Sequence, residues 1–196
     1  MTSDLTTSPS PSERAGERYI FLIGMPGAGK SYWAENLSDA RGFNYIDMDD
    51  EIEEAEDMSI TEIFDKHGED WFREKEKQIL HEILKDESST PNSQFPIPNS
   101  PSSTTIIATG GGTPCFFDNM EQMKQHGIVI YLRTKPETLI GRIMDEIGKR
   151  PLLAEQTELA EYAGELLDTR KKIYEQAQHI LDTENISLTT FEQILK

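Results

Sequence analysis

Gly24-Met25-Pro26-Gly27-Ala28-Gly29-Lys30-Ser31 fits the spacing G-x-x-x-x-G-K-S and directly follows Tyr19-Ile20-Phe21-Leu22-Ile23, an apolar run with too little alternation for a half-exposed strand. A buried strand running into a glycine turn and then a helix is the setting that spacing requires. The glycines let consecutive N–H groups point at phosphate oxygens, and the helix start adds partial positive charge. Gly27, Ala28, Gly29, Lys30 and Ser31 are therefore expected to hold a nucleotide. The Lys30 ammonium would neutralise the β and γ phosphates, and the Ser31 hydroxyl is the expected ligand of a bridging Mg²⁺.

Moving outward, Phe43-Asn44-Tyr45-Ile46, Thr105-Ile106-Ile107-Ala108, Ile128-Val129-Ile130-Tyr131-Leu132 and the weaker His179-Ile180-Leu181 are further strand candidates with helical patterns between them. That alternation predicts an α/β domain with a mostly parallel sheet. Capping boxes are expected at Ser59 with Glu62 and at Thr134 with Glu137. From Trp71 to Leu84, Phe72, Ile79, Leu80 and Ile83 fall at helical spacing, which leaves Arg73, Glu76 and Lys77 off the most buried line. Residues 88–103 are rich in Ser, Pro and Asn, cannot supply a core, and read as a flexible insertion in a single domain spanning 18–196.

The 196 residues suffice for one domain, and a formal charge of −17 disfavours nucleic acid and anionic membranes as partners. Cys115 stands alone, so no internal disulfide forms, and no apolar run reaches a membrane span. Residues 1–17 are rich in Ser, Thr and Pro without the apolar core of a secretory signal or the Arg content of a transit peptide. A disordered tail and a cytoplasmic home are expected.

The phosphate loop alone specifies a nucleotide-binding chain of no particular class. No Asn-Lys-x-Asp is present to read guanine, and its nearest mimic, Thr134-Lys135-Pro136-Glu137, is explained by the capping box. At the end of the second strand, Asp47-Met48-Asp49 should send both carboxylates to one side by alternation, near the sheet edge where α/β proteins bind ligands. One could hold a metal's water shell and the other accept a hydrogen bond from an acceptor hydroxyl; two helix-capping acids are the plainer alternative. Fourteen acidic against four basic residues lie between Asp47 and Lys77, so most of that charge is expected on a solvated face.

Glu76, three residues after Arg73, can hold the guanidinium for a bidentate carboxylate contact, although the spacing taken alone reads as an ordinary surface ion pair. Gly110-Gly111-Gly112 after the third strand imply either a group approaching too closely for a side chain or a tight turn. Lys149-Arg150-Pro151-Leu152-Leu153 lies between two helical patterns and is a candidate lid at about 145–160, with an exposed basic loop as the alternative. Arg170, four residues before Tyr174, taken alone reads as a surface residue.

Taken together, GMPGAGKS, DMDDEIE, FREKE, TGGG, KRPLL and the Arg170–Tyr174 pair, in this order, closely resemble shikimate kinase over residues 19 to about 196. The resemblance implies a P-loop NTPase fold like that of the nucleoside-monophosphate kinases: a three-layer α/β/α domain whose five-stranded parallel sheet is ordered 2-3-1-4-5, with a mobile lid. It also implies MgATP-dependent phosphorylation of the 3-hydroxyl of shikimate on the way to chorismate and the aromatic amino acids. By that likeness Asp49 binds the shikimate hydroxyls and orients or deprotonates the attacking one, and Asp47 supports Mg²⁺ beside Ser31. Arg73 and Arg170 grip the substrate carboxylate, and Gly110, Gly111 and Gly112 line it, with Gly111 offering a backbone N–H. Arg150 reaches the transferring phosphate, Arg142 stacks on adenine, and Tyr32 adjoins the nucleotide. Catalytic roles thus fall to Lys30, Asp49 and Arg150, and a monomer is expected. Departures are Pro26, Tyr32 and Lys172, which affect loop shape more than chemistry. The rival readings are a kinase of another small hydroxy acid such as gluconate, and a catalytically silent nucleotide-binding regulator.

Overall fold

The computed structural model describes residues 18–85, 104–147 and 153–195. The expected tail, the 88–103 insertion and Lys149-Arg150 of the expected lid lie outside the described residues. The chain runs β1 (Arg18–Ile23), α1 (Lys30–Arg41), β2 (Asn44–Asp47), α2 (Met48–Glu56), α3 (Ile60–Lys85), β3 (Thr104–Ala108), α4 (Asn119–His126), β4 (Gly127–Arg133), α5 (Pro136–Ile147), α6 (Leu153–Tyr174), β5 (His179–Asp182) and α7 (Leu188–Ile194). All five expected strands form. α5 and α6 extend into the range expected for a lid, covering 145–147 and 153–160.

The strands make one sheet in the order β2-β3-β1-β4-β5, and every neighbouring pair is parallel. Phe21 at the centre pairs with Ile107 on one side and Val129 on the other. Every residue from Tyr19 to Ile23 and from Val129 to Leu132 is buried. Successive strand side chains point to opposite faces, so burial without alternation means that both faces of the sheet are covered. α1 packs against β1, β2 and β3, and α4 packs against β1 and β4. Each fully buried Ile or Leu of this core contributes roughly 1.5–3 kcal/mol relative to exposure.

Parallel pairing brings all strand ends to one edge. The loop after β1, the end of β2 and the Thr109-Gly110-Gly111-Gly112 segment after β3 therefore emerge side by side, although they are separated by many residues in sequence.

Three local expectations need correction. β2 ends at Asp47 and α2 begins at Met48, so alternation does not place Asp49, which sits in the first helical turn. Asp47 is the helix N-cap, and its Oδ1 accepts the Asp49 N–H at 3.0 Å, satisfying an otherwise orphaned donor. The Ser59–Glu62 capping box forms, with Ser59 N–H to Glu62 Oε2 at 2.9 Å and Glu62 N–H to Ser59 Oγ at 3.3 Å. The Thr134–Glu137 box does not. α5 opens at Pro136, whose missing N–H is harmless there, and the Thr134 hydroxyl instead accepts from Thr183 Oγ1 at 3.0 Å. In α3, Phe72, Ile79, Leu80 and Ile83 are buried as expected, but so are Arg73 and Glu76. Their burial is explained by mutual pairing and by the glycine segment packed on them. α3 is also broken at Gly68, whose φ of 80° and ψ of 176° are not helical, so Glu69 opens a fresh helical segment.

Candidate active site

The loop between β1 and α1 is shaped by glycine. Gly29, the residue before α1, has φ 88° and caps the helix with no side chain, leaving the first N–H groups of α1 to face an anion. Lys30 follows at once. Its side chain is 9% exposed, and Nζ donates to the Met25 carbonyl at 3.1 Å. Burial pulls the ammonium below its usual range, while the carboxylates of Asp49 and Asp47 oppose that shift. Ser31 is exposed beside it. Arg142 reaches over from α5 and donates to the Gly27 carbonyl at 2.9 Å, so it is bound to the loop itself. Tyr32 is 61% exposed, with its ring edge-on to Trp33.

Beside this loop, the two carboxylates of the α2 start differ in role. Asp47 uses one oxygen as the helix cap, and its Oδ2 accepts the Tyr45 hydroxyl at 3.2 Å. That hydroxyl also interacts with Ser31, which places the Ser31 oxygen and the Asp47 carboxylate on one phenol. Asp49 is held up at about 6, first by burial and then by the negative charge of Asp47, with Lys30 pulling the other way. A carboxylate in that range is mostly ionised at neutral pH, yet is basic enough to take a proton from an attacking hydroxyl.

The glycine segment answers the choice between a close approach and a simple turn. A Cβ on Gly110 would run into the carboxylates of Glu76 and Asp49, one on Gly111 into the Pro26 ring, and one on Gly112 into the Arg73 guanidinium. The segment is bare because the side chains of Glu76, Asp49 and Arg73 and the Pro26 ring of the phosphate loop are packed against it. The Gly111 carbonyl in turn accepts the Tyr174 hydroxyl at 2.6 Å, which ties the C-terminal end of α6 to the segment.

Arg73 is 7% exposed and fully engaged. Nη1 donates to Glu76 Oε2 at 2.6 Å, and Nε and Nη2 donate to Glu69 Oε1 at 3.1 and 2.8 Å. Its guanidinium carbon lies 4.6 Å from the centroid of the Phe116 ring and 5.3 Å from that of Phe72. The other oxygen of Glu76 takes the Thr113 hydroxyl at 2.5 Å. This is a buried anchor rather than a surface ion pair. Arg170, 9% exposed on α6, lies close enough to Cys115 and Tyr174 for its charge to oppose the upward shift that burial gives both groups. Burial nonetheless lifts the Cys115 thiol to about 11, so it is inert at neutral pH.

Arg73, Arg170, Asp49 and the three glycines line one cavity of about 490 Å³, whose floor meets the phosphate loop at Met25 and Pro26. Of the residues singled out in the sequence, Lys30, Ser31, Asp47, Asp49, Arg73, Gly110, Gly111, Gly112 and Arg170 converge on this cavity and the loop beside it; Arg142 is bonded to the Gly27 carbonyl of that loop, Tyr32 is exposed in the first turn of α1, and Arg150 is outside the described residues. Sequence reasoning missed Tyr45, Glu69 and Phe116. Tyr45 and Asp47 share a strand face by their spacing of two, and Glu69 precedes Arg73 by one helical turn, so both carried a local signal. Phe116 carried none, because its contact with Arg73 is made across the fold.

The sequence model of the Shikimate kinase family matches residues 26–90 and 98–196. This chain belongs to the shikimate kinase family. A curated shikimate kinase of Phocaeicola vulgatus is 36% identical over 169 residues, covering 85% of this chain and 87% of that protein. The crystal structure of shikimate kinase from Bacteroides thetaiotaomicron superposes with a TM-score of 0.72 at 30% identity, covering 91% of this chain and 98% of that one. The shikimate kinase of Acinetobacter baumannii, solved in complex with shikimate, also gives a TM-score of 0.72, at 27% identity, covering 95% of this chain and 94% of the other. The sheet order and the phosphate loop agree with this kinase fold, and the chain is a phosphotransferase of that family.

Proposed function

We propose that this enzyme transfers the γ-phosphoryl group of ATP to the 3-hydroxyl of shikimate, giving shikimate 3-phosphate and ADP, and that the residues around the cavity divide the work as follows. The observation that carries the assignment of roles is that Arg73 of α3 and Arg170 of α6, nearly a hundred positions apart, line one cavity with Asp49 beside the buried Lys30. Two guanidinium groups suit the substrate carboxylate, and the Gly111 N–H lies within the same lining. Asp49 accepts the proton of the attacking hydroxyl as the new P–O bond forms and the bond to ADP breaks. Lys30 and the N–H groups at the start of α1 neutralise the phosphate oxygens on which charge develops.

Ser31 and Asp47 supply a hydroxyl and a carboxylate joined through Tyr45, a sparse oxygen donor set of the kind Mg²⁺ accepts when phosphates and water complete its shell. Among the described residues no group of three His, Cys, Asp or Glu could hold a metal without such help. When bound there, Mg²⁺ would shield the negative charge of the β and γ phosphates. Arg142, anchored to the loop, is assigned the adenine side with Tyr32, and residues 145–160 are assigned the lid, which delivers Arg150 to the phosphates and excludes water. A cytoplasmic monomer accords with this role; among the described residues no helix is long and apolar enough to cross a membrane.

The test is a coupled ADP-release assay with MgATP and either shikimate or gluconate. Shikimate alone should support turnover, and Arg73→Ala should raise its KM, because a charge-assisted contact to a desolvated guanidinium contributes roughly 1.5–3 kcal/mol. Turnover of gluconate but not shikimate, or an unaltered KM in Arg73→Ala, would discard the assignment.

A further inference from the structure

Arg73 is already holding two carboxylates, and a third cannot join them at no cost. Glu76 is not the one to leave: its side chain is 1% exposed, and it also carries the Thr113 hydroxyl. Glu69 differs in exposure and in having no side-chain hydrogen bond besides those to Arg73 among the described residues. Its side chain is 54% exposed, it lines the same cavity, and a single oxygen, Oε1, caps both Nε and Nη2 of Arg73. It also opens the helical segment that follows the break at Gly68, so once released its charge remains in water near a helix N-terminus, where a negative charge is favoured.

We propose that Glu69 is a built-in placeholder for the substrate carboxylate: it occupies the Nε and Nη2 edge of Arg73 in the empty site and is exchanged for the carboxylate of the incoming ligand. This rests on the reading of Arg73 as a carboxylate-binding residue. The exchange keeps the guanidinium aimed and satisfied before substrate arrives, at the expense of affinity. A ligand competing with a closed conformer binds more weakly by the fraction of molecules that are open. It also favours ligands whose anionic group is placed to displace Glu69, whereas neutral ones have no charge to exchange.

Titration calorimetry on the full chain with shikimate and with its uncharged carboxamide, for wild type, Glu69→Gln and Glu69→Ala, tests the proposal. Both variants should bind shikimate about 3–10-fold more tightly than wild type, and the gain should vanish with the carboxamide. Arg73→Ala serves as the reference. If it loses affinity for shikimate while Glu69→Gln and Glu69→Ala bind no more tightly than wild type, Glu69 only steadies Arg73 and the placeholder is refuted. A gain of equal size for the carboxamide refutes it too, since no charge is then exchanged. If Arg73→Ala itself binds shikimate unchanged, it is the carboxylate-binding role of Arg73 that fails, and the placeholder falls with it.

Discussion

Glu76→Ala is the sharpest perturbation of the anchor on which the site is built. The wild-type carboxylate is 1% exposed and accepts two short bonds, from Arg73 Nη1 at 2.6 Å and from the Thr113 hydroxyl at 2.5 Å. Removing it strands most of a buried positive charge, and breaking one half of a buried ion pair costs about 3–5 kcal/mol. Arg73 keeps Glu69, which is half exposed and contributes less, so the lower end of that range, about 3 kcal/mol, is expected. For a domain of this size each kcal/mol moves Tm by roughly 2–4 °C, so the midpoint should fall by about 6–12 °C. The assay is thermal and urea denaturation, together with the KM for shikimate, which should rise because Nη1 no longer has a fixed partner. A Tm within about 2 °C of wild type and an unchanged KM would refute the view that a buried Arg73–Glu76 pair organises the cavity.

Four further outcomes are expected. With Asp49 titrating at about 6, kcat/KM for shikimate should climb as pH rises through 6, and Asp49→Asn should abolish the climb together with most of the turnover while nucleotide still binds by calorimetry. The same shift has a stability sign. A carboxyl raised in the folded state adds stability that is complete below its unfolded value near 4 and is lost as pH passes 6, so Asp49→Asn should be more stable than wild type at pH 8, by about 1–3 kcal/mol, and not at pH 4 in denaturant titrations. Gly112→Ala drives a methyl group into the Arg73 guanidinium; it should cost about 1–3 kcal/mol and raise the KM for shikimate while sparing that for ATP in the coupled assay. Chelation with EDTA should stop turnover, and Asp47→Asn should raise the Mg²⁺ concentration needed for half-maximal rate, read from a magnesium titration.

The parallel α/β sheet was legible because five short apolar runs alternate with helical periods, one of them running straight into a glycine-lysine-serine turn; its strand order was implied only by the resemblance to shikimate kinase. Asp47 and Asp49 do lie close together at the sheet edge, but strand alternation is not what puts them there. A capping carboxylate ended β2 at Asp47, two residues short of Asp49, a contest between strand alternation and an orphaned N–H that the sequence does not settle. Arg73 and Glu76 look like a surface pair by spacing. Their burial depends on Gly112, Thr113 and Phe116 arriving from far along the chain, so it appears only once the sheet brings those segments together. The bareness of Gly110, Gly111 and Gly112 could be seen in advance, but which groups crowd them could not. Tyr45 and Glu69 were within reach of simple periodicity and were passed over among the many acidic residues around them.

On the proposed function, the cavity lined by Asp49, Arg73 and Arg170 presents one hydroxyl of a carboxylated ring to the terminal phosphorus of a nucleotide at Lys30. Phosphorus NMR of a reaction holding the enzyme, MgATP and shikimate reads this directly. The expected result is a new phosphate-ester signal coupled to the proton at C3, growing in step with ADP. ADP accompanied by inorganic phosphate alone, or by an ester at another hydroxyl, would contradict it.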